Sequence, residues 1–250
     1  MIAKKTMLEE NFILYNFQAA KKNELGINIC ALLDGDYAML IDSGYREHCK
    51  DVLEDLAKDG ISVIKVLPSH FHPDHVEGIL LIDEPIVFGN NFATETLEKF
   101  YSKEVVRVMS PSKTISDGDK LQFGKFTLSF EYAPGHSDCS ILIDINDKYL
   151  HIGDIYFKSD DGVDVLPYVL WAGVEEHIKS LERILKYKDR SYLISHGNCP
   201  LEIEEMKEGV ANRITYLKTL LDSCNTVSAE DAISECSKPF NFLHWRKEVI

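Results

Sequence analysis

Apolar and polar positions divide this chain into two blocks of similar order. Phe12 to Phe17, Ile27 to Leu33 and Ala38 to Ile41 are short apolar runs bounded by turn formers, the mark of buried strands. Asp34-Gly35-Asp36 supplies a hairpin turn between the second and third. Cys49, Val52, Leu53 and Leu56 then recur at helical spacing, with Gly60 to close the helix, and Val63 to Leu67 reads as another strand. Phe92 to Tyr101 reads as a short helix with Ala93, Leu97 and Phe100 turned inward.

The order repeats from about Ile115. Asp117-Gly118-Asp119 and Phe123-Gly124-Lys125 punctuate strands that continue to Ile155, including Phe126 to Tyr132, Ser140 to Ile145 and Tyr149 to Ile152. Val174, Ile178, Leu181 and Leu185 mark a helix before a strand at Ser191 to Ser195. Beyond it, Ile203, Met206, Val210, Ile214, Leu217 and Leu221 form a helical stripe. Ser228-Ala229-Glu230-Asp231 is the N-cap of a last helix through Cys236, so helices occupy about 202–237. Their apolar face reads as packing on the chain's own sheet, with a substrate lid or a homodimer surface as the alternative. A duplicated strand-and-helix order favours two sheets face to face with helices outside.

Composition narrows the class. No Ser/Gly/Pro-rich linker divides the 250 residues and 45% are apolar, so 1–250 is expected to be one domain with a sizeable core. A formal net charge of -14 argues against nucleic-acid and membrane-surface partners, which select for lysine and arginine. No apolar stretch follows the basic residues at the amino terminus, and no uncharged run reaches membrane-spanning length. Six cysteines without a Cys-x-x-Cys pair suit a reducing cytoplasm; Cys139 and Cys199, each three residues after a candidate ligand, read as inert thiols.

The chemistry is concentrated in Ser69-His70-Phe71-His72-Pro73-Asp74-His75. In an extended segment alternate side chains share a face, so His70 and His72 can reach one cation. Pro73 then starts a helical turn that swings Asp74 and His75 toward a second. Imidazole and carboxylate donors suit zinc, iron or manganese, and the absence of cysteine favours an open, working site over a closed structural one. His136 in Ala133-Pro134-Gly135-His136-Ser137, Asp154 after Gly153 and His196 before Gly197 all stand where a strand stops, where side chains can converge on one rim. His48, His177 and His244 read as surface or core residues, and His151 as packing beside the ligands.

Taken in order, these motifs resemble those of the metallo-β-lactamase superfamily over nearly the whole chain. Asp42 in Ile41-Asp42-Ser43-Gly44 fits the first motif, the His-x-His-x-Asp-His cluster the second, His136 the third, Asp154 the fourth and His196 the fifth. The resemblance implies an αβ/βα sandwich, four-layered and of the α/β (α+β) class. By it, His70, His72 and His136 hold one metal, Asp74, His75 and His196 the other, Asp154 bridges them, and Asp42 hydrogen-bonds the ligand loop. Two divalent ions are implied, zinc first, with iron or manganese as alternatives.

The function expected is therefore a dinuclear metallohydrolase, with Asp74 orienting the nucleophile and later passing a proton to the leaving group. A small ester, lactone, thioester or phosphodiester is the expected substrate. Zinc β-lactamases commonly carry cysteine or serine near the place of Asp154, and Ile155 to Asp161 lacks the Gly-Cys-Gly-Arg-like stretch of glutathione thioester hydrolases. Tyr156 and Lys158 are candidate substrate contacts, and Tyr168 and Trp171, within Leu166 to Trp171, a candidate pocket wall. An iron-dependent sulfur or persulfide dioxygenase and a metal-binding interaction protein without turnover are the alternative functions.

Overall fold

A computed structural model describes residues 3–21 and 24–247, and within them the apolar runs of the first block build one seven-stranded sheet. Its strands lie in chain order: β1 (Lys4–Glu9), β2 (Phe12–Phe17), β3 (Ile27–Asp34), β4 (Tyr37–Ile41), β5 (Ser62–Leu67), β6 (Ile86–Gly89) and β7 (Lys113–Thr114). The first four pair antiparallel, β1 with β2 and β3 with β4 through tight turns, and β4 to β7 pair parallel. Parallel neighbours need a crossover, supplied between β4 and β5 by α1 (Arg46–Lys58). The segment between β5 and β6 contains α2 (Pro73–Val76), and α3 (Ala93–Glu98) and α4 (Lys103–Met109) precede β7.

The second block forms a smaller sheet from β8 (Lys120–Phe123), β9 (Phe126–Tyr132), β10 (Ile141–Ile145) and β11 (Tyr149–His151). β12 (Asp164–Val165) follows, then α5 (Val174–Ile184), and β13 (Ser191–Leu193) joins β11 in parallel to give the order β13-β11-β10-β9-β8. After α6 (Ile203–Asp222) and α7 (Ala229–Ala232) the chain returns as β14 (Phe240–Asn241), paired parallel with β12.

Three apolar layers hold this together. Phe12, Leu14, Leu32 and Met39 of the first sheet meet Leu128, Phe130, Ile143 and Leu193 of the second. The outer face of the first sheet packs on Cys49, Val52 and Leu56 of α1 with Leu97 and Met109, and that of the second on Leu181, Val210 and Leu217. All six residues of β2 are buried because one face meets helices and the other meets a sheet, which is why Phe12 to Tyr15 are all apolar, and the buried Asn16 donates to Asn28 Oδ1 at 2.7 Å. The result is the four-layer αβ/βα arrangement expected. Among the described residues no helix is long and apolar enough to cross a membrane.

Some local expectations fail. Phe100 is 48% exposed, because the amides of Phe100 and Tyr101 both bond to the Leu97 carbonyl and close the helix before that position can turn inward. The last helix stops at Ala232, short of Cys236, although Ser228 Oγ does cap it by accepting from the Asp231 amide. Ile214 and Leu221 are only partly covered on α6, where Arg213, Tyr216 and Leu220 take buried places.

The topology creates a rim. β4 and β5 run parallel, as do β11 and β13, so the segments leaving their carboxyl ends emerge side by side. Ile141 donates its amide to the Ser69 carbonyl at 3.0 Å and Asn28 to the Ser195 carbonyl at 2.8 Å, fastening the two sheets along this rim.

A candidate dinuclear metal centre

Ser69 to His72 bend irregularly after β5, with His72 still extended (φ -74°, ψ 156°) as Pro73 opens α2, which carries Asp74 and His75. Proline suits this first helical position, since its missing N–H has no partner there and its φ is already helical. The sharp change of direction sends His70 and His72 one way and Asp74 and His75 the other.

On the first side His136, from the β9–β10 turn, completes a triangle. Its Nε2 lies 3.2 Å from His70 Nε2 and 3.1 Å from His72 Nδ1. The His136 Nδ1–H donates to the Tyr168 carbonyl at 2.7 Å, leaving Nε2 bare. Tetrahedral zinc with Zn–N bonds of ~2.0–2.1 Å sets ligand nitrogens roughly 3.3 Å apart, close to this spacing.

On the second side Asp74, His75, Asp154 and His196 offer atoms that all lie within 4.8 Å of one another, as do those of the three histidines. Asp154 Oδ2 stands 3.1 Å from His196 Nε2, 3.5 Å from His75 Nε2 and 3.6 Å from His136 Nε2, so one carboxylate oxygen faces both sets. The longer separations exceed good hydrogen bonds, and His75 Nε2 and Asp154 Oδ1 are buried without a hydrogen-bond partner. Buried polar atoms seldom stay unpaired in a protein; two cations would satisfy these. The donors present thus fit a dinuclear centre. Gly153 makes the approach feasible: its φ is +52°, and a Cβ there would sit 2.8 Å from Ser69 Oγ.

Asp42 organises the ligand loops from behind. It lies one residue past β4 in the left-handed region (φ 57°), which asparagine and aspartate tolerate best among residues with side chains. Its Oδ1 accepts the Ser69 amide at 2.7 Å; its Oδ2 accepts from Ser69 Oγ at 3.0 Å, Ser195 Oγ at 2.9 Å and the His75 Nδ1–H at 2.9 Å. His196 Nδ1–H likewise donates to the Gly26 carbonyl at 2.7 Å. Each bond fixes a tautomer and leaves Nε2 facing the centre. His151 is buried behind, its Nε2 3.9 Å from Asp42 Oδ2, and makes no ligand contact.

The two sides differ electrically. Burial pushes the imidazoles of His70, His72 and His136 down, His72 to about 3. Burial acts the same way on His75 and His196, but the surrounding carboxylates outweigh it and hold His75 well above its ordinary range and His196 at about 10. Asp154 is held well below the usual carboxylate range against its burial by His196 and His75.

A cavity of about 580 Å³ opens over His72, Asp74, His136, Asp154 and His196, with Phe100, Phe157, Tyr168, Leu170 and Trp245 among its walls. Of the candidate substrate contacts, Tyr168 lies on this wall. Tyr156 does not: it is fully buried, donates to Asp164 Oδ1 at 2.7 Å and lies under the Arg213 guanidinium, 3.8 Å from the ring centre. Lys158 is buried and pairs with Glu205, and Trp171 packs on the α5–α6 core outside the cavity lining. The 3-10 turn at Gly153–Ile155 sends the next side chain inward, so proximity in sequence to Asp154 misleads for Tyr156. Phe157 and Trp245 escape the sequence reading; the aromatic-rich Phe240 to Trp245 is the available signal for the latter.

The profile of the Metallo-beta-lactamase superfamily matches residues 24–196. An acyl-coenzyme A thioesterase, MBLAC2, of Homo sapiens is 28% identical over 167 residues, 56% of each chain, and its Bos taurus counterpart 30% over 148 residues, 49% of this chain and 50% of that one. The chain spans about half the length of these curated relatives. Hydroxyacylglutathione hydrolase 1 of Vibrio vulnificus is 24% identical over 202 residues, 80% of this chain and 75% of that protein. Among solved structures, the metallo-beta-lactamase IND-7 superposes with a TM-score of 0.69 at 15% identity, covering 84% of this chain and 97% of that one. A metallo-beta-lactamase family protein of Thermus thermophilus gives 0.64 at 19%, covering 90% and 87%.

Proposed function

The chain belongs to the metallo-β-lactamase superfamily, and from that premise we propose that it is a dinuclear metallohydrolase that cleaves a small acyl thioester. The observation that carries this reading is Asp154 Oδ2, set between two complete ligand sets on the floor of an apolar-walled cavity. His70, His72 and His136 would hold one ion, Asp74, His75 and His196 the other, and Asp154 would join both. Nitrogen and oxygen donors without thiolate suit zinc, with manganese and iron as the alternatives. Two such ions supply, when bound, Lewis-acid polarisation of the acyl oxygen and a water acidic enough to react near neutral pH.

The chain's own side chains do the rest. Asp74 is the most exposed carboxylate of the centre, its side chain 24% accessible against 7% for Asp154, and it faces the cavity. It orients the attacking water, holds the proton released, and returns it to the departing sulfur, giving a carboxylic acid and a thiol. Phe157, Tyr168 and Leu170 exclude water and seat the acyl group.

Thioesters are favoured over phosphodiesters because Lys99, the one lysine or arginine among the described lining residues, lies 3.4 Å from Asp138. The relatives named as thioesterases and hydroxyacylglutathione hydrolases support the same bond. The six free cysteines suit a reducing compartment, and we place the protein in the cytoplasm.

The test is metal removal with a chelator, reloading with zinc, manganese or iron(II), and assay on S-acyl N-acetylcysteamines, lactones and a phosphodiester. Two ions per chain and highest kcat/KM on thioesters are expected. Inertness toward all three classes, or oxygen uptake with a persulfide by the iron form alone, overturns the proposal.

A further inference from the structure

Among the described residues a second cavity meets the first over the ligands. This second cavity, of about 460 Å³, shares Leu25, Asp74, His196 and Trp245 with the larger. Trp245 stands at their junction. Its ring centre is 5.3 Å from Tyr168 and 6.1 Å from Phe157, which line the larger cavity, and 4.7 Å from Phe242, which lines the smaller.

The partition is anchored. β14 pairs with β12, Asn241 Nδ2 donates to Ser159 Oγ at 2.9 Å, and Arg246 donates to the carbonyls of Asn225 at 3.0 Å and Val227 at 2.9 Å. The segment carrying Trp245 is therefore tied to the same loop that follows Asp154. The second cavity is the more mixed of the two: Gln18, Glu47 and His48 stand in it beside Ile27, Tyr45 and Phe242, whereas Phe100, Phe157 and Leu170 face the first.

Resting on the thioester reading, we propose that Trp245 is the specificity-determining residue that divides the groove. The acyl chain lies in the aromatic cavity with its first methylenes flanked by the indole, the scissile bond crosses above Asp74 and His196, and the thiol part leaves through the second cavity. A side chain supplied from beyond the family-matched 24–196 stretch thus sets which acyl groups are accepted.

The experiment measures kcat/KM on acetyl, butyryl and hexanoyl thioesters of N-acetylcysteamine. The metal-loaded protein is expected to gain about fourfold per added methylene, the worth of burying one CH₂. Trp245→Ala should lower the hexanoyl-to-acetyl ratio of kcat/KM at least tenfold at unchanged metal content, and Trp245→Phe should keep most of the ratio. An unchanged ratio in Trp245→Ala overturns the assignment. Independently, Trp171→Phe leaves Trp245 as the single tryptophan, and octanoate but not acetate should shift its emission saturably; no shift overturns it as well. If no thioester turns over yet octanoate shifts that emission, the thioester reading fails and the acyl cavity bounded by Trp245 stands.

Discussion

Asp42 Oδ2 lies 2.9 Å from His75 Nδ1, both side chains 1% exposed, and this buried contact aims His75 Nε2 at the metal centre. Asp42→Asn keeps the shape but removes the charge and offers His75 a weaker acceptor. Metal affinity is expected to fall about 10- to 100-fold, the usual effect of losing such a supporting partner. Competition with a chelator of known affinity measures it; unchanged affinity would show that Asp42 only packs.

Proton release should separate the two ligand sets. His70, His72 and His136 are depressed and therefore neutral at pH 7, whereas His75 and His196 are raised and carry protons in the metal-free protein. Binding at the three-histidine set should release almost no protons, and binding at the other should release up to two. Occupancy is thus expected to fall toward one ion per chain as the pH drops. A raised histidine also stabilises the metal-free fold below its unfolded value of about 6.5, and that contribution is lost as pH rises through about 10 for His196. Calorimetry in buffers of different ionisation enthalpy reads the proton count directly.

Asp74→Asn tests the proton-transfer role. The three-histidine set does not include Asp74 and should load normally, while kcat on a thioester falls about a hundredfold to ten-thousandfold. A kcat within threefold of the parent, at full metal content, would remove Asp74 from the chemistry.

Arg213 is expected to matter for folding more than for turnover. It is 1% exposed, lies on the Tyr156 ring, pairs with Asp164 at 3.4 Å, and donates to the carbonyls of Phe157 and Val165. Arg213→Ala leaves Asp164 buried without its cation, a change worth about 3–5 kcal/mol. At about 2–4 °C per kcal/mol for a chain of this size, the Tm should fall by at least about 6 °C. Calorimetric melting checks it, and a drop under about 2 °C would contradict the role.

The metal centre is legible in the sequence because its signals are local. His70 to His75 declare themselves by alternation and a proline, and His136, Asp154 and His196 each stand beside a glycine at the end of an apolar run. The two sheets are legible for the same reason: strand periodicity and turn residues act over a few positions. Substrate contacts are not, because they depend on distant partners. Tyr156 turns inward to Asp164 and Arg213, which comes from α6, and Phe100 turns outward because the helix before it closes at Leu97. Trp245 enters the groove through the pairing of β12 with β14 and the bonds of Asn241 and Arg246, contacts between segments no local pattern connects.

His70, His72, Asp74 and His75 come from the block before Ile115, and His136, Asp154 and His196 from the block after it. Each ion would accordingly pass through both plates of the sandwich like a rivet, neither plate being a complete chelator alone. Without the ions the seam between the halves would rest on apolar packing and a few hydrogen bonds, so loss of metal would loosen the fold as well as the site.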